Sequence, residues 1–136
     1  MCAAGSGVST VALAATTVRE LHDVGAWVVI AGNGVAGAWA LAANWLASLR
    51  TRALWWFVVL AEVSIFVQAG LGAGIMRDEN VEPAEFHVFY GFVAIIAVGI
   101  LYSYRSTSPW VREHSYLVYG LGSLFLMGLG IRALLL

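Results

Sequence analysis

Between Arg77 and Gly91 the chain reads RDENVEPAEFHVFYG, the only long polar interval between two apolar runs, and it holds five of the fifteen formal charges. On both sides lie apolar stretches of the length a helix needs to cross a bilayer, about 20 residues. In lipid, unpaired backbone groups are too costly to leave open, so a chain of this kind folds as helices or as a closed barrel, and long unalternating apolar runs select helices. The expectation is an all-α, integral membrane, antiparallel four-helix bundle. Helices are expected at about 18–49, 53–75, 83–104 and 116–136, with 1–17 as a flexible tail.

Composition supports lipid as the solvent. The hydrophobic fraction is 61%, the charged fraction 11% and the mean hydropathy +0.85, against about 45–50% apolar and about 25% charged residues in soluble domains. Four spans occupy most of 136 residues, so any chemistry sits between the helices or at their ends. A net charge of -1 without a clustered basic surface argues against nucleic acid as a partner. Cys2 is the single cysteine and excludes an intrachain disulfide. Met1 to Thr17 lacks a basic n-region and reads as a disordered tail rather than a signal peptide.

Thr17 to Glu20 has the T-x-x-E form of a capping box and predicts a helix start near Val18. His22, Asn33 and Asn44 recur every eleven residues, close to three turns, and share a stripe with Ala26, Val29, Ala36, Gly37 and Ala40. Polar groups are costly in lipid and small residues let backbones approach, so this stripe is expected to face the other helices. Arg50 to Arg52 forms the first connection. On the second helix Glu62 stands about 14 Å deep, near the bilayer centre, and Gln68 is about 120° away on the same wide inward arc. Pro83 opens the third helix with Glu82 and Glu85 at its positive end, and His87 lies in its second turn. Pro109 marks the third connection; the fourth helix groups Gly120, Ser123, Met127 and Gly130 near one face, with Arg132 near its end.

Arg50, Arg52, Arg105 and Arg112 flank the short connections, against Arg19, Arg77 and Arg132 on the other side. That bias predicts both termini outside the bacterial cytoplasmic membrane. Trp45, Trp55, Trp56, Trp110, Tyr102 and Tyr104 are expected to form an aromatic belt at the inner surface, with Trp27 near the outer one.

Three constellations bear on chemistry. His22 and His87 share a depth on separate helices, as the axial ligands of a b-type haem do, and Arg132 is placed to meet a propionate. The bland alternative is a pair of helix-end histidines bonded to Glu20, Asp23, Glu85 or water. Glu62 is a candidate proton site, the alternative being a clasp with Asn33 or Gln68. Asp78, Glu79, Glu82 and Glu85 lack EF-hand spacing, so a solvated loop paired with Arg77 or Arg132 is expected rather than a metal site. Glu113, His114 and Ser115 are adjacent and cannot converge as a triad, and Gly70, Gly72 and Gly74 follow no strand, which excludes a dinucleotide fingerprint.

The runs GAWVVIAGNGVAGAWALAANW, 25–45, and FHVFYGFVAIIAVGILYSYR, 86–105, resemble uncharacterised four-span membrane proteins of high-GC Gram-positive bacteria. That resemblance implies a cytoplasmic-membrane protein without an assigned activity. The placing of the histidines is similar in topology to half of a haem A synthase, or to a reduced cytochrome b561-type bundle. Four helices with one membrane carboxylate also resemble small multidrug resistance transporters, although those carry it on the first helix. The leading expectation is a non-enzymatic accessory or assembly subunit of a larger, respiratory membrane complex or a homo-oligomer. A haem- or quinone-associated electron-transfer protein using His22 and His87 comes second, and a proton-coupled carrier using Glu62 third.

Overall fold

The computed structural model describes residues 3–79, 82 and 85–135. The described residues are helical almost throughout and include no strand: α1 spans Ala3–Trp45, α2 Arg52–Glu79, α3 Glu85–Thr107, α4 Pro109–Glu113 and α5 Ser115–Leu135. Four of these helices are long and apolar enough to cross a membrane, over Ser9–Trp45, Arg52–Arg77, Glu85–Thr107 and Ser115–Leu135.

Several boundaries differ from the sequence expectation, each for a local reason. The first helix starts at Ala3 rather than near Val18, so the stretch expected to be a tail is helical. Thr17 does not cap Glu20. Its hydroxyl donates to the carbonyl of Leu13 at 2.8 Å, as Thr16 does to Ala12 at 2.9 Å, the bond a threonine makes inside a helix. The same helix ends at Trp45 instead of Leu49, because Arg50 folds back and donates to the carbonyls of Ala43 and Asn44 at 2.7 and 2.8 Å. Those carbonyls lack intrahelical partners, and a guanidinium satisfies both. A 3-10 turn over Ala47–Leu49 completes the connection, with Trp39 Nε1 donating to the Leu49 carbonyl at 3.1 Å.

The second helix runs four residues past Ile75, to Glu79, and the third runs past Tyr104 to Thr107. Pro83, the expected first residue of the third helix, lies outside the described residues. The third connection holds the short α4, capped by the Ser108 hydroxyl and started by Pro109.

Helix α1 packs most extensively on α5 and α2, α3 packs on α5, and α2 touches α3 and α5 only slightly. Glycines set the closest seam. A Cβ on Gly37 would meet Leu124 Cγ at 2.7 Å and the Gly120 carbonyl at 2.9 Å, and one on Gly120 would meet the Leu41 backbone nitrogen at 2.9 Å. The expected stripe on α1 does face inward, since Val29, Asn33, Ala36, Gly37 and Ala40 are buried. The core divides into two clusters, one around Ala36, Ala40, Leu54, Val58 and Tyr119, the other around Val29, Ile65, Ala94, Val98 and Leu126. The outer surface is broadly apolar, with Trp27, Leu60, Phe66, Phe92 and Phe125 among the exposed side chains.

Candidate functional site

The second core cluster opens, at the end of the bundle that carries the α2–α3 connection, into a cavity of about 600 Å³. All four long helices line it. Ala26 and Val29 come from α1, Ala69 and Gly72 from α2, Gly91 and Ala94 from α3, and Leu129 and Gly130 from α5. Small residues leave the space, and its walls are mostly apolar. Two imidazoles stand on its wall. His22 of α1 and His87 of α3 face each other with ring centroids 5.8 Å apart and planes inclined at 62°. A second recess of about 200 Å³ lies against the same pair and is lined by Arg19, Asp23 and Met76 as well.

Each histidine is positioned by a contact to another helix. His87 Nδ1 lies 2.9 Å from the carbonyl of Ala133 on α5. A carbonyl only accepts, so Nδ1 carries the hydrogen and donates it, which leaves the lone pair of a neutral ring on Nε2. His22 is held through its backbone, since Gln68 Nε2 of α2 donates to the His22 carbonyl at 2.6 Å. Gly72, one turn further along α2, lets the ring lie close, because a Cβ there would stand 3.2 Å from His22 Cε1. His22 Nδ1 and Gln68 Oε1 are buried and have no hydrogen-bond partner.

Arg132 is not part of the cavity lining but adjoins it, its guanidinium 5.8 Å from the centre of the Tyr90 ring, and Tyr90 lines the cavity. The expected pairing of Arg132 with the acidic loop involves Asp78 and Glu79, whose side chains lie outside the described ones. Asn80 and Val81, between the loop carboxylates, lie outside the described residues. Among the described residues no group of three or more His, Cys, Asp or Glu side chains is arranged to hold a metal ion.

Gln68, expected with Glu62 on one wide inward arc, joins this site by turning to His22. The other polar residues singled out on the helices do not. Glu62 lies with Asn33 in the interior of the bundle, where the Asn33 amide donates to the carbonyls of Val29 and Ala61 at 2.9 and 3.3 Å. The Tyr102 hydroxyl of α3 is a hydrogen-bond donor to the Glu62 carboxylate, and Arg105 of α3 attracts it through charge. Asn44 sits at the opposite end from His22, beside Arg50. There the expected aromatic belt is partly folded inward. Trp55 packs on Tyr116 and Tyr119, Arg50 lies over Tyr116, and Arg105 lies over Trp55 and Tyr119, while Trp45, Trp56, Trp110 and Tyr104 remain exposed. Sequence reasoning passed over Gly25, Gly72 and Ala133 as supports of the site. The spacing of Gln68 and Gly72, four residues apart on one face of α2, was the available signal for two of the contacts.

No protein-family model, curated protein or solved structure matches this chain. The functional reading therefore stands on the residues and their geometry.

Proposed function

We propose that this chain is a multi-pass protein of the bacterial cytoplasmic membrane, its four long helices antiparallel and both termini outside, that binds one b-type haem between His22 and His87 and serves electron transfer. The observation that carries this reading is the facing pair of imidazoles, 5.8 Å apart on the wall of a mostly apolar cavity. An imidazole centre lies about 3.2 Å from a metal bound to its nitrogen at about 2 Å. Two imidazoles that held one metal through their ring nitrogens would stand roughly 6.4 Å apart by the same bond length.

The donor chemistry fits as well. A ligating histidine characteristically donates its other ring N–H to a carbonyl, which His87 does to Ala133. His22 has a buried ring nitrogen without a partner. The volume is within the roughly 300–1,000 Å³ of small-molecule sites. Bound haem supplies one-electron chemistry; the chain supplies two imidazoles, a mostly apolar wall, and Arg132 beside the cavity to meet a propionate.

The small faces that motivated an accessory-subunit reading are engaged within the chain, Gly34 against Met127, Gly37 against Leu124, and Gly130 against Ile30. They therefore lend that reading no separate support.

The test is a dithionite-reduced minus oxidised absorbance spectrum of protein purified in mild detergent from cells supplied with a haem precursor. A sharp b-type α band is expected, lost in His22→Ala and in His87→Ala. His114→Ala is the control, since His114 stacks on Trp110 and donates from Nδ1 to the Trp110 carbonyl, away from the cavity. A folded, monodisperse sample that shows no band, or a band that survives both cavity mutations, rejects the reading.

A further inference from the structure

The four long helices do not close into a full ring. In a closed four-helix bundle each helix packs on two neighbours. Here α1 packs on α2 and on α5, and α5 packs on α3, but the fourth seam, between α2 and α3, is scarcely in contact. That seam is pinned at the arginine end. The Tyr102 hydroxyl of α3 bonds to the Glu62 carboxylate of α2, and the Arg105 guanidinium of α3 lies 5.5 Å from the centre of the Trp55 ring of α2. At the histidine end the interhelical hydrogen bonds run along other seams. Gln68 ties α2 to α1 through the His22 carbonyl, and His87 ties α3 to α5 through the Ala133 carbonyl.

The cavity lies where the seam is not pinned. Ala73 and Met76 of α2 and Val88 and Phe92 of α3 line it and are at the same time exposed on the outside of the bundle. A residue that faces both the cavity and the exterior stands at an opening. Gly91 also lines the cavity, and a Cβ there would have nothing within 4 Å. Val88, Gly91 and Phe92 share one face of α3, as Ala73 and Met76 share one face of α2. Phe92 is seven residues from Glu85, where α3 starts, or about 10 Å along the axis. The opening is therefore a slit that reaches from the helix ends to the level of the hydrocarbon.

Such a slit is stable in lipid for two reasons. Helix backbones satisfy their own hydrogen bonds, so parting two helices exposes no unpaired polar group. Lipid tails are as apolar as the side chains at the seam, so no hydrophobic force draws the helices together. The rim residues Ala73, Met76, Val88, Gly91 and Phe92 carry no charge. The recess against the two imidazoles is lined by Arg19 and Asp23 instead. An apolar molecule meets no charge on the first path and two charged side chains on the second.

We infer that the cavity is filled from the bilayer, sideways through the slit between α2 and α3, and that its ligand is a lipid-soluble molecule with a flat apolar body rather than a solute taken from water. The inference rests on the reading above for the membrane and for haem as the ligand. On that reading α2 and α3 admit the porphyrin edge first, while Tyr102 and Arg105 hold the two helices together beyond the inner end of the slit.

The test uses the full chain in phospholipid vesicles that contain a phosphatidylcholine with a photoactivatable diazirine in one acyl chain, and it needs no haem. Irradiation attaches the lipid to the residues that its chain touches. Adducts are expected on Ala94, Leu126 or Leu129, which line the cavity and are at most 9% exposed, as well as on Phe66 and Phe125 of the outer surface. Ala73→Phe narrows the slit and is expected to cut the cavity adducts several-fold while leaving the outer ones unchanged. Gly70→Phe adds bulk to α2 where space is open and outside the cavity lining, and is expected to change neither. Phe92→Ala widens the slit and is expected to raise the cavity adducts, which keeps the test decisive if Ala73→Phe does not fold. Adducts on the outer surface alone overturn the inference, as do equal responses to Ala73→Phe and Gly70→Phe.

The second readout is transfer of haemin from preloaded vesicles to the cofactor-free chain, followed by the growth of the b-type band. Ala73→Phe is expected to slow that growth several-fold without moving the band, and Phe92→Ala to hasten it. Growth at the wild-type rate in both variants overturns the inference. A band absent from every protein rejects the haem reading, and the lipid adducts then decide the route by themselves, so the two failures are distinguishable.

Discussion

Gln68 reaches His22 only because the facing position on α1 has no side chain. A Cβ on Gly25 would overlap Gln68 Oε1, so an alanine there displaces the amide from the His22 carbonyl. The amide is the far end of a flexible chain and moves readily. What is lost is one hydrogen bond, about 0.5–1.5 kcal/mol, and what is gained is helix propensity, about 1 kcal/mol for Gly to Ala. Gly25→Ala is therefore expected to be nearly neutral alone, whereas Gln68→Ala costs about 1 kcal/mol. In the Gly25→Ala background Gln68→Ala is expected to cost little. A double-mutant cycle of thermal unfolding should give a coupling of about 0.5–1.5 kcal/mol; purely additive effects would break the link between Gly25 and Gln68.

At the scale of elements, the α1–α5 seam separates glycines that are needed from glycines that are not. At Gly37 the obstruction to a side chain includes the Gly120 carbonyl, which is backbone and cannot rotate away. Gly37→Ala is expected to cost about 1–3 kcal/mol through overpacking. Gly70 and Gly74 on α2 face open space, and alanine at either is expected to be neutral or stabilising by up to about 1 kcal/mol. Unfolding of the three variants in one detergent checks the contrast, and equal effects would mean the seam is not a close contact. The inward stripe of α1 was legible because an eleven-residue recurrence is close to whole turns. The ends of the helices were less so. T-x-x-E at Thr17 has the form of a cap, but whether a threonine hydroxyl turns forward to cap or back to Leu13 depends on whether the preceding residues are already helical. Ending the third helix at Tyr104 left Arg105 in a connection, whereas α3 continues to Thr107 and presents Arg105 to Trp55 and Tyr119. The arc on α2 grouped Glu62 with Gln68, but a wheel cannot say which neighbour each meets, and the two belong to separate sites.

Across the whole molecule the two ends differ. One carries the histidines, the cavity and Arg132; the other carries Arg50 and Arg105 laid over Trp55, Tyr116 and Tyr119. Under the proposed orientation the arginine-aromatic end is cytoplasmic, in keeping with the excess of arginine at the short connections. Paired reporter fusions at the C-terminus, one active only in the cytoplasm and one only outside it, are expected to read outside. A cytoplasmic reading would invert the molecule and place the histidine site at the inner surface. The depth of the histidine pair was legible because helix rise is constant and the connections are short. Its separation of 5.8 Å was not, since it depends on how α2 and α5 hold α1 and α3 across the cavity.

The bond from His87 to the Ala133 carbonyl also sets an order in time. Ala133 is in the last turn of α5, while His22 and Gln68 belong to α1 and α2. A chain emerging from the ribosome folds N-terminal parts first, so half of the histidine site can form early and wait. The other half is completed only when α5 has entered and docked. On the haem reading, loading of the cofactor then follows the docking of α5, and chains stalled before Ala133 have α1, α2 and α3 but lack the contact that fixes the second imidazole.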